Sequence, residues 1–224
     1  MTTPTRSMPL PNSESTQTAH TDSLQYSLLR YSQAKRQLKF PVDRPEVWPE
    51  WRSEAEEKLT GLLRLPQLLS EPRPLIEADI GTPIEYSGHT RAFVRFQTRP
   101  GLIAVGWLLK PKKIKTPSPA IICLPGHGRG IDEIVGLDES GSEAQPDQAS
   151  SYQKNFALQS VGHGYVTFAL EMIGFGHRRD HASRRISPEQ SSCMPAAGSA
   201  LLLGETMAGW RVWDVIRCLD WFSK

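Results

Sequence analysis

The sequence predicts an α/β fold, and three observations carry that expectation. Residues 90–98, TRAFVRFQT, and 102–110, LIAVGWLLK, are strand-length runs separated by Arg99-Pro100-Gly101. Residues 120–124, AIICL, form a short apolar run that reads as a buried strand and that Pro125-Gly126 stops abruptly. A second run, YVTFAL at 165–170, follows a helical segment at 151–161. Strand, helix and strand at this spacing make a βαβ unit. The runs at 120–124 and 165–170 should therefore lie parallel in one sheet, joined by a right-handed crossover.

The chain has 224 residues and a formal net charge of +2. That length suits one domain of ordinary size with an appended tail. A charge so near balance argues against nucleic acid or an anionic membrane as the main partner. No apolar run approaches the roughly 18 residues that a membrane span needs. The opening residues MTTPTRSMPLPNSESTQTAH are polar and do not resemble a secretory signal. Cys123, Cys193 and Cys218 lie far apart with no CxxC pair, which favours free thiols over disulfides. A cytoplasmic location is the expectation that follows.

Residues 1–20 are rich in Ser, Thr, Pro and Asn and lack periodicity, so a disordered tail is expected. Residues 23–38 carry Leu24, Leu28, Leu29 and Tyr31 among polar residues, a modest amphipathic helix that Phe40-Pro41 interrupts. Leu59, Leu62 and Leu63 fit one face of a second helix over 45–65, with Glu54, Glu56 and Glu57 on its polar side. These helices read as an arm covering an edge of the main domain, with an oligomer contact as the rival reading. Three prolines at 66–74 make a connector, and 76–80 is a candidate short strand.

From there the period becomes that of strands. Ala92, Val94 and Phe96 alternate with Arg91, Phe93, Arg95 and Gln97, and the runs 90–98 and 102–110 should pair as an antiparallel hairpin. Lys112, Lys113 and Lys115 form a solvated basic loop. Residues 131–150 are acidic and polar and read as an exposed insertion. Glu171 closes the second parallel strand, and Gly174-Phe175-Gly176 makes a turn.

The segment 177–185, HRRDHASRR, is the most basic. His177 and His181 stand four apart, a spacing that can hold a metal on a helix, but no third ligand is evident. An anion site built by its arginines is a second reading. The favoured one is an exposed loop with internal pairs to Asp180. Residues 199–222 read as the longest helix, with an apolar surface broad enough for more than one neighbour. Asp214 and Arg217, three apart, can pair with each other as a structural contact.

The segment PAIICLPGHGRG at 119–130 is where chemistry is expected. His127 sits among Gly126, Gly128 and Gly130 at the carboxyl end of a strand. Such a backbone turns sharply and can aim N–H groups at an anion or a developing oxyanion. A plain strand-ending turn, with a histidine that caps something, weighs equally on these residues alone.

LPGHGRG, GYVTFALEMIGFGHRR and LLLGETMAGWRVWDVIRCLDWF together resemble the acetyl xylan esterase and dienelactone hydrolase-like branch of the α/β-hydrolases. The resemblance covers about residues 77–224. It implies an incomplete α/β-hydrolase three-layer sandwich, the N-terminal half of the sheet, with a helical N-terminal extension. The expected organisation is a tail at 1–20, the extension at 21–74 and the truncated hydrolase domain at 75–224.

The resemblance further implies a serine on a sharp strand-to-helix turn of pattern G-x-S-x-G, followed by an acid and a histidine. No serine of this chain stands in that frame: Ser199 has Ala197 and Leu201 two places either side, and Ser160 has Leu158 before it. The implied triad lies beyond residue 224, so His127 is not the catalytic histidine. His127 and Gly128 would instead supply backbone N–H groups to one half of an oxyanion hole. The implied activity is hydrolysis of a small-molecule ester, acetyl esterase-like, with the chain alone inactive and with no cofactor or metal.

The fold order also leaves 120–124 as an open sheet edge through which the chain could self-associate. Two readings compete with the hydrolase: a non-catalytic remnant that binds a protein through that edge or the N-terminal helices, and an anion- or nucleic-acid-binding module using 177–185. The near-neutral charge opposes the last.

Overall fold

A computed structural model describes residues 22–114, 117–144 and 153–223. The expected disordered tail at 1–20 lies outside them, as do Lys115 and the end of the expected insertion. The chain forms two compact units, Met1–Ala55 and Glu56–Lys224.

In the first unit, α1 (Ser23–Gln33) is capped by Asp22, whose side chain accepts from the Gln25 N–H. A 3-10 turn at Pro45–Val47 leads into α2 (Trp48–Leu62), of which residues 48–55 belong to this unit. Phe40 is gripped by two indoles, its ring centre 5.3 Å from that of Trp48 and 4.9 Å from that of Trp51. Each indole also donates back to the chain, Trp48 to the Pro41 carbonyl and Trp51 to that of Leu38. The interruption at Phe40-Pro41 is thus the anchor of this unit.

The second unit is built on a mixed sheet. After α3 (Leu65–Ser70) come β1 (Asp79–Ile80), β2 (Ile84–Glu85), β3 (His89–Arg99), β4 (Leu102–Pro111), β5 (Ala120–Cys123) and β6 (Val166–Leu170). The spatial order is β1-β3-β4-β6-β5, with β2 also paired to β3. The hairpin expected from alternation is present: β3 and β4 run antiparallel, with Ala92 opposite Leu108 and Val94 opposite Gly106. β5 and β6 are parallel, with Ile122 opposite Phe168.

Both faces of the sheet are covered. On one, Leu109, Cys123 and Ala169 pack with Ile131 and Ile134 of α4 (Ile131–Ile134) and Ala157 and Val161 of α5 (Phe156–Gly162). On the other, Val94, Phe96, Leu108 and Phe168 meet Cys218, Val215 and Phe222 of α8 (Met207–Phe222). Alternation along β4 and β6 sends neighbouring residues to opposite cores, which is why Leu108 and Leu109 are both buried. Each large apolar side chain so buried contributes about 1.5–3 kcal/mol. The arrangement is a sheet between helices, the expected α/β layering.

Four expectations are corrected. Residues 131–150 are not wholly an exposed insertion: Ile131, Ile134, Val135 and Leu137 are buried, and α4 caps the sheet. Their apolar side chains, spaced at one helical turn and beyond, outweigh the acidic composition around them. The helix expected over 199–222 is two helices. The first, α7 (Cys193–Leu202), follows α6 (His181–Ile186); Gly204 then takes a left-handed φ of 70°, and Thr206 caps α8 through the Gly209 N–H. Leu201, Leu202 and Leu203 are exposed as a result. The run 120–124 is not a fully buried strand, because β5 is the terminal strand and Ile121 and Ile122 are only half-buried.

The fourth correction concerns ion pairs. Asp214 does not pair with Arg217. Its Oδ2 accepts from Arg178 at 2.5 Å, and Arg217 turns to Asp220 at 2.6 Å and to the Pro74 carbonyl. A neighbour one turn away on α8 is displaced by a guanidinium that the turn after β6 brings against the helix.

Candidate active site

The carboxyl ends of the parallel strands β5 and β6 open into two loops, and these meet. The first is the histidine loop, residues 124–130. The second runs from Glu171 through the 3-10 turn Gly176–Arg178. Parallel pairing of β5 with β6 fixes this meeting, since both chains must leave the sheet on the same side.

The histidine loop is held through its own backbone. The Gly126 N–H donates to Gln153 Oε1 at 2.6 Å, the Arg129 N–H to Glu133 Oε2 at 3.1 Å and the Ile131 N–H to Glu171 Oε2 at 3.3 Å. Gln153 Nε2 in turn donates to the His127 carbonyl and to Glu133 Oε2. Between these tethers lies Gly128, at a φ of 128° that only glycine adopts readily. A Cβ there would also collide with the Glu133 carboxylate. The Gly128 N–H has no acceptor among the described residues. The exposed His127 ring stands edge-on to Phe175 with centroids 4.8 Å apart, and the Arg211 guanidinium covers Phe175 at 4.5 Å.

Glu171 joins the two loops. It is fully buried, and its Oε2 accepts from both Ile131 N–H and His177 N–H, the latter at 3.1 Å. Oε1 has no partner among the described residues. Burial pushes the carboxyl up to about 7, while the two backbone bonds and His177 oppose that rise.

His177 continues the network outward. Its ring Nε2 faces both oxygens of Asp132, and Asp132 Oδ1 also accepts from Trp107 Nε1 at 2.8 Å. The bond to Asp132 holds the imidazole above its ordinary range, against the effect of burial. Burial would raise Asp132, but the bonds from His177 and Trp107 and the charge of Arg129 hold it below the usual carboxylate range. A cavity of about 200 Å³ opens here, lined by Arg129, Asp132, Gly176, His177, Arg179 and Arg184 among others. Cationic donors and carboxylates both face it, so it can bind a polar group by hydrogen bonds of either sense.

The structure distributes the residues of 177–185 differently from an exposed loop paired to Asp180. Asp180 instead caps α6 by accepting from the Ser183 N–H. His181 begins that helix, while His177 turns to Asp132. Arg179 donates to the carbonyls of Gly176, Ser187 and Gln190, and Arg184 to that of His177. Sequence reasoning placed His127 and Gly128 on the loop but did not single out Glu133, Gln153, Asp132 or the role of Glu171. The one available signal was the position of Glu171, an acid directly after an apolar strand.

The Abhydrolase family profile matches residues 15–222. A Bacillus subtilis (strain 168) protein, YtaP, provisionally named a hydrolase, is 29% identical over 126 residues, which is 54% of this chain and 35% of the relative. A solved structure from Bacteroides fragilis NCTC 9343, provisionally described as an acetyl xylan esterase, superposes with a TM-score of 0.72 at 19% identity. That superposition covers 91% of this chain and 50% of the solved one. At such identity the likeness is one of fold. The chain spans half the length of the solved structure, and its match to YtaP covers about a third of that protein.

Proposed function

We propose, from the premise that the chain belongs to the Abhydrolase family, that it forms the oxyanion-loop portion of a carboxylic-ester hydrolase of acetyl esterase type. The observation that carries this is the Gly128 N–H. The N–H groups of Gly126, Arg129 and Ile131 are each tied to a side chain, and that of Gly128, at the carboxyl end of a parallel strand, has no acceptor among the described residues. A donor held by a rigid surround, with no ground-state partner, costs little reorganisation when an oxyanion forms in front of it.

In this reading a serine on a G-x-S-x-G turn attacks the ester carbonyl, a histidine takes and returns its proton, and an acid orients that histidine. None of the three is assigned to these 224 residues. The backbone at His127–Gly128 stabilises the tetrahedral oxyanion together with the N–H after the serine. The chain by itself is then expected to lack turnover, and the substrate is a small ester. The names of the B. fragilis and B. subtilis relatives point the same way.

The test is hydrolysis of p-nitrophenyl acetate by this chain and by a longer version that includes a segment with the serine motif. Turnover should appear only in the longer chain and should disappear on replacing its serine. Turnover by the 224-residue chain at rates far above buffer would overturn the assignment. A second reading, a protein-binding module, draws on β5, whose outer edge is unpaired among the described residues. Concentration-dependent dimerisation blocked by Ile121→Lys would favour it.

A further inference from the structure

Three features stand outside the reading above: the roomy groove beside Tyr86 and His89, the exposed Leu201–Leu202–Leu203 run, and the buried carboxyl of Glu171. The groove has basic rim residues, but His89 Nε2, which has no partner among the described residues, is itself buried. Nothing shows what covers the leucines. Glu171 carries an argument through.

Four observations converge on it. One carboxylate oxygen accepts from two backbone N–H groups that belong to different loops, Ile131 and His177. The two glycines beside it leave no room for anything larger. A Cβ at Gly130 would lie 2.7 Å from the Glu171 Cδ, and one at Gly176 would lie 2.8 Å from it. Both glycines have positive φ, 76° and 39°. The second oxygen is sealed from solvent and has no partner among the described residues, which leaves a buried polar atom that calls for an explanation.

We propose that Glu171 is the positioning residue of the candidate site: wedged between Gly130 and Gly176, it ties the end of the histidine loop to the turn after β6 and so sets where the Gly128 N–H points. The part played in acyl transfer rests on the function proposed above; the tether itself does not. The sequence pattern G-x-G at 128–130 and at 174–176 acquires a reason here, since the second glycine of each is the one pressed on the carboxylate.

The charged groups facing the carboxyl are His177, from the turn, and Asp132, from α4. Arg178 donates to the Glu171 backbone carbonyl and neutralises Asp214. Ionisation strengthens an N–H bond to a carboxyl oxygen. The tether is therefore tuned by pH in the range where the carboxyl titrates, near 7.

The experiment follows backbone amide signals of this chain by NMR from pH 5 to pH 9. The Ile131 and His177 amide protons should move downfield together, with one midpoint near 7, and the Gly128 amide should share that midpoint although it makes no bond to Glu171. In Glu171→Gln, which keeps an acceptor oxygen but cannot ionise, the Ile131 and Gly128 signals should be flat, while the His177 amide follows only its own imidazole. In His177→Asn the Ile131 movement should persist, which separates it from imidazole titration. Thermal melting of both variants checks that they are folded; should Glu171→Gln unfold, the wild-type and His177→Asn curves decide alone. A flat Ile131 signal in the wild type, a titrating one in Glu171→Gln, or its loss in His177→Asn would each overturn the proposal. A blank or positive esterase result bears on the function and leaves this outcome unchanged.

Discussion

His177 Nε2 lies 3.0 Å from Asp132 Oδ2 and 3.1 Å from Oδ1, across a sequence separation of 45 residues. The pair links the turn after β6 to α4, and Trp107 of β4 holds its carboxylate from below. It is only partly buried, with the His177 side chain 40% exposed and that of Asp132 24%.

Asp132→Asn should lower the His177 pKa, because the carboxylate that opposes the effect of burial is gone. The His177 pKa is raised in the fold, so its contribution is complete below 6.5 and fades as pH rises through the folded value. The Asp132 pKa is lowered, so its side of the pair is complete above 3.8 and fades as pH falls through the folded value. Urea unfolding should show the variant weaker by about 0.2–1 kcal/mol between those limits, as for a solvent-screened pair. The difference should shrink as pH rises through the folded His177 value, leaving only what the Trp107 bond contributes. An unchanged imidazole titration by NMR would count against the contact.

Glu171 has the opposite linkage from an ordinary paired carboxylate. Its pKa is raised from 4.5 to about 7, so the folded state keeps a proton that the unfolded chain releases. Stability should fall as pH rises from about 4.5 to 7, by up to about 3 kcal/mol. Glu171→Gln should lack that slope, which chemical denaturation at a series of pH values can measure.

Gly130→Ala should cost more than about 2 kcal/mol, because the left-handed backbone and the collision with Glu171 add. Gly101→Ala is the matched control: its φ of 77° is nearly the same, but a Cβ there meets nothing within 4 Å. It should cost about 1 kcal/mol. Similar melting temperatures for the two would remove the steric argument.

Arg178 and Asp214 form a buried ion pair, with side chains 6% and 1% exposed. Asp214→Ala strands the guanidinium and should cost about 3–5 kcal/mol. Replacing both, as in Arg178→Met with Asp214→Leu, should recover much of that loss. A double variant no better than the single one would mean the two residues act separately.

The three thiols should differ in reactivity. Burial pushes the Cys218 thiol up to about 12, with Asp214 adding to the rise, and burial also raises Cys123. Cys193 is only partly buried, at the start of α7. A disulfide reagent at pH 8 should label Cys193 alone until the protein is unfolded. Rapid labelling of Cys218 in the native state would contradict its placement on the sheet-facing side of α8.

The sequence by itself determined the hairpin, the parallel pair β5–β6 and the loop at His127. Each is announced by a local signal: period-two alternation at 90–98, short β-branched runs, and glycines that end them. It hid the break at 203–206, where the pattern reads as one continuous helix, because apolar residues continue on both sides of Gly204 and mask the cap at Thr206.

Only the tertiary structure decided the pairings. Asp214 takes Arg178 over Arg217, Asp132 takes His177 and Trp107, and Glu171 reaches across to Ile131. The reason is physical. Strands and turns are set by sterics and solvation over a few residues, whereas a buried charge takes whichever donor the folded chain brings within reach, and that donor's sequence position is set by topology. Two of the residues that fix the histidine loop, Gln153 and Glu171, are therefore distant in sequence from it, and the folded chain is what brings them to it.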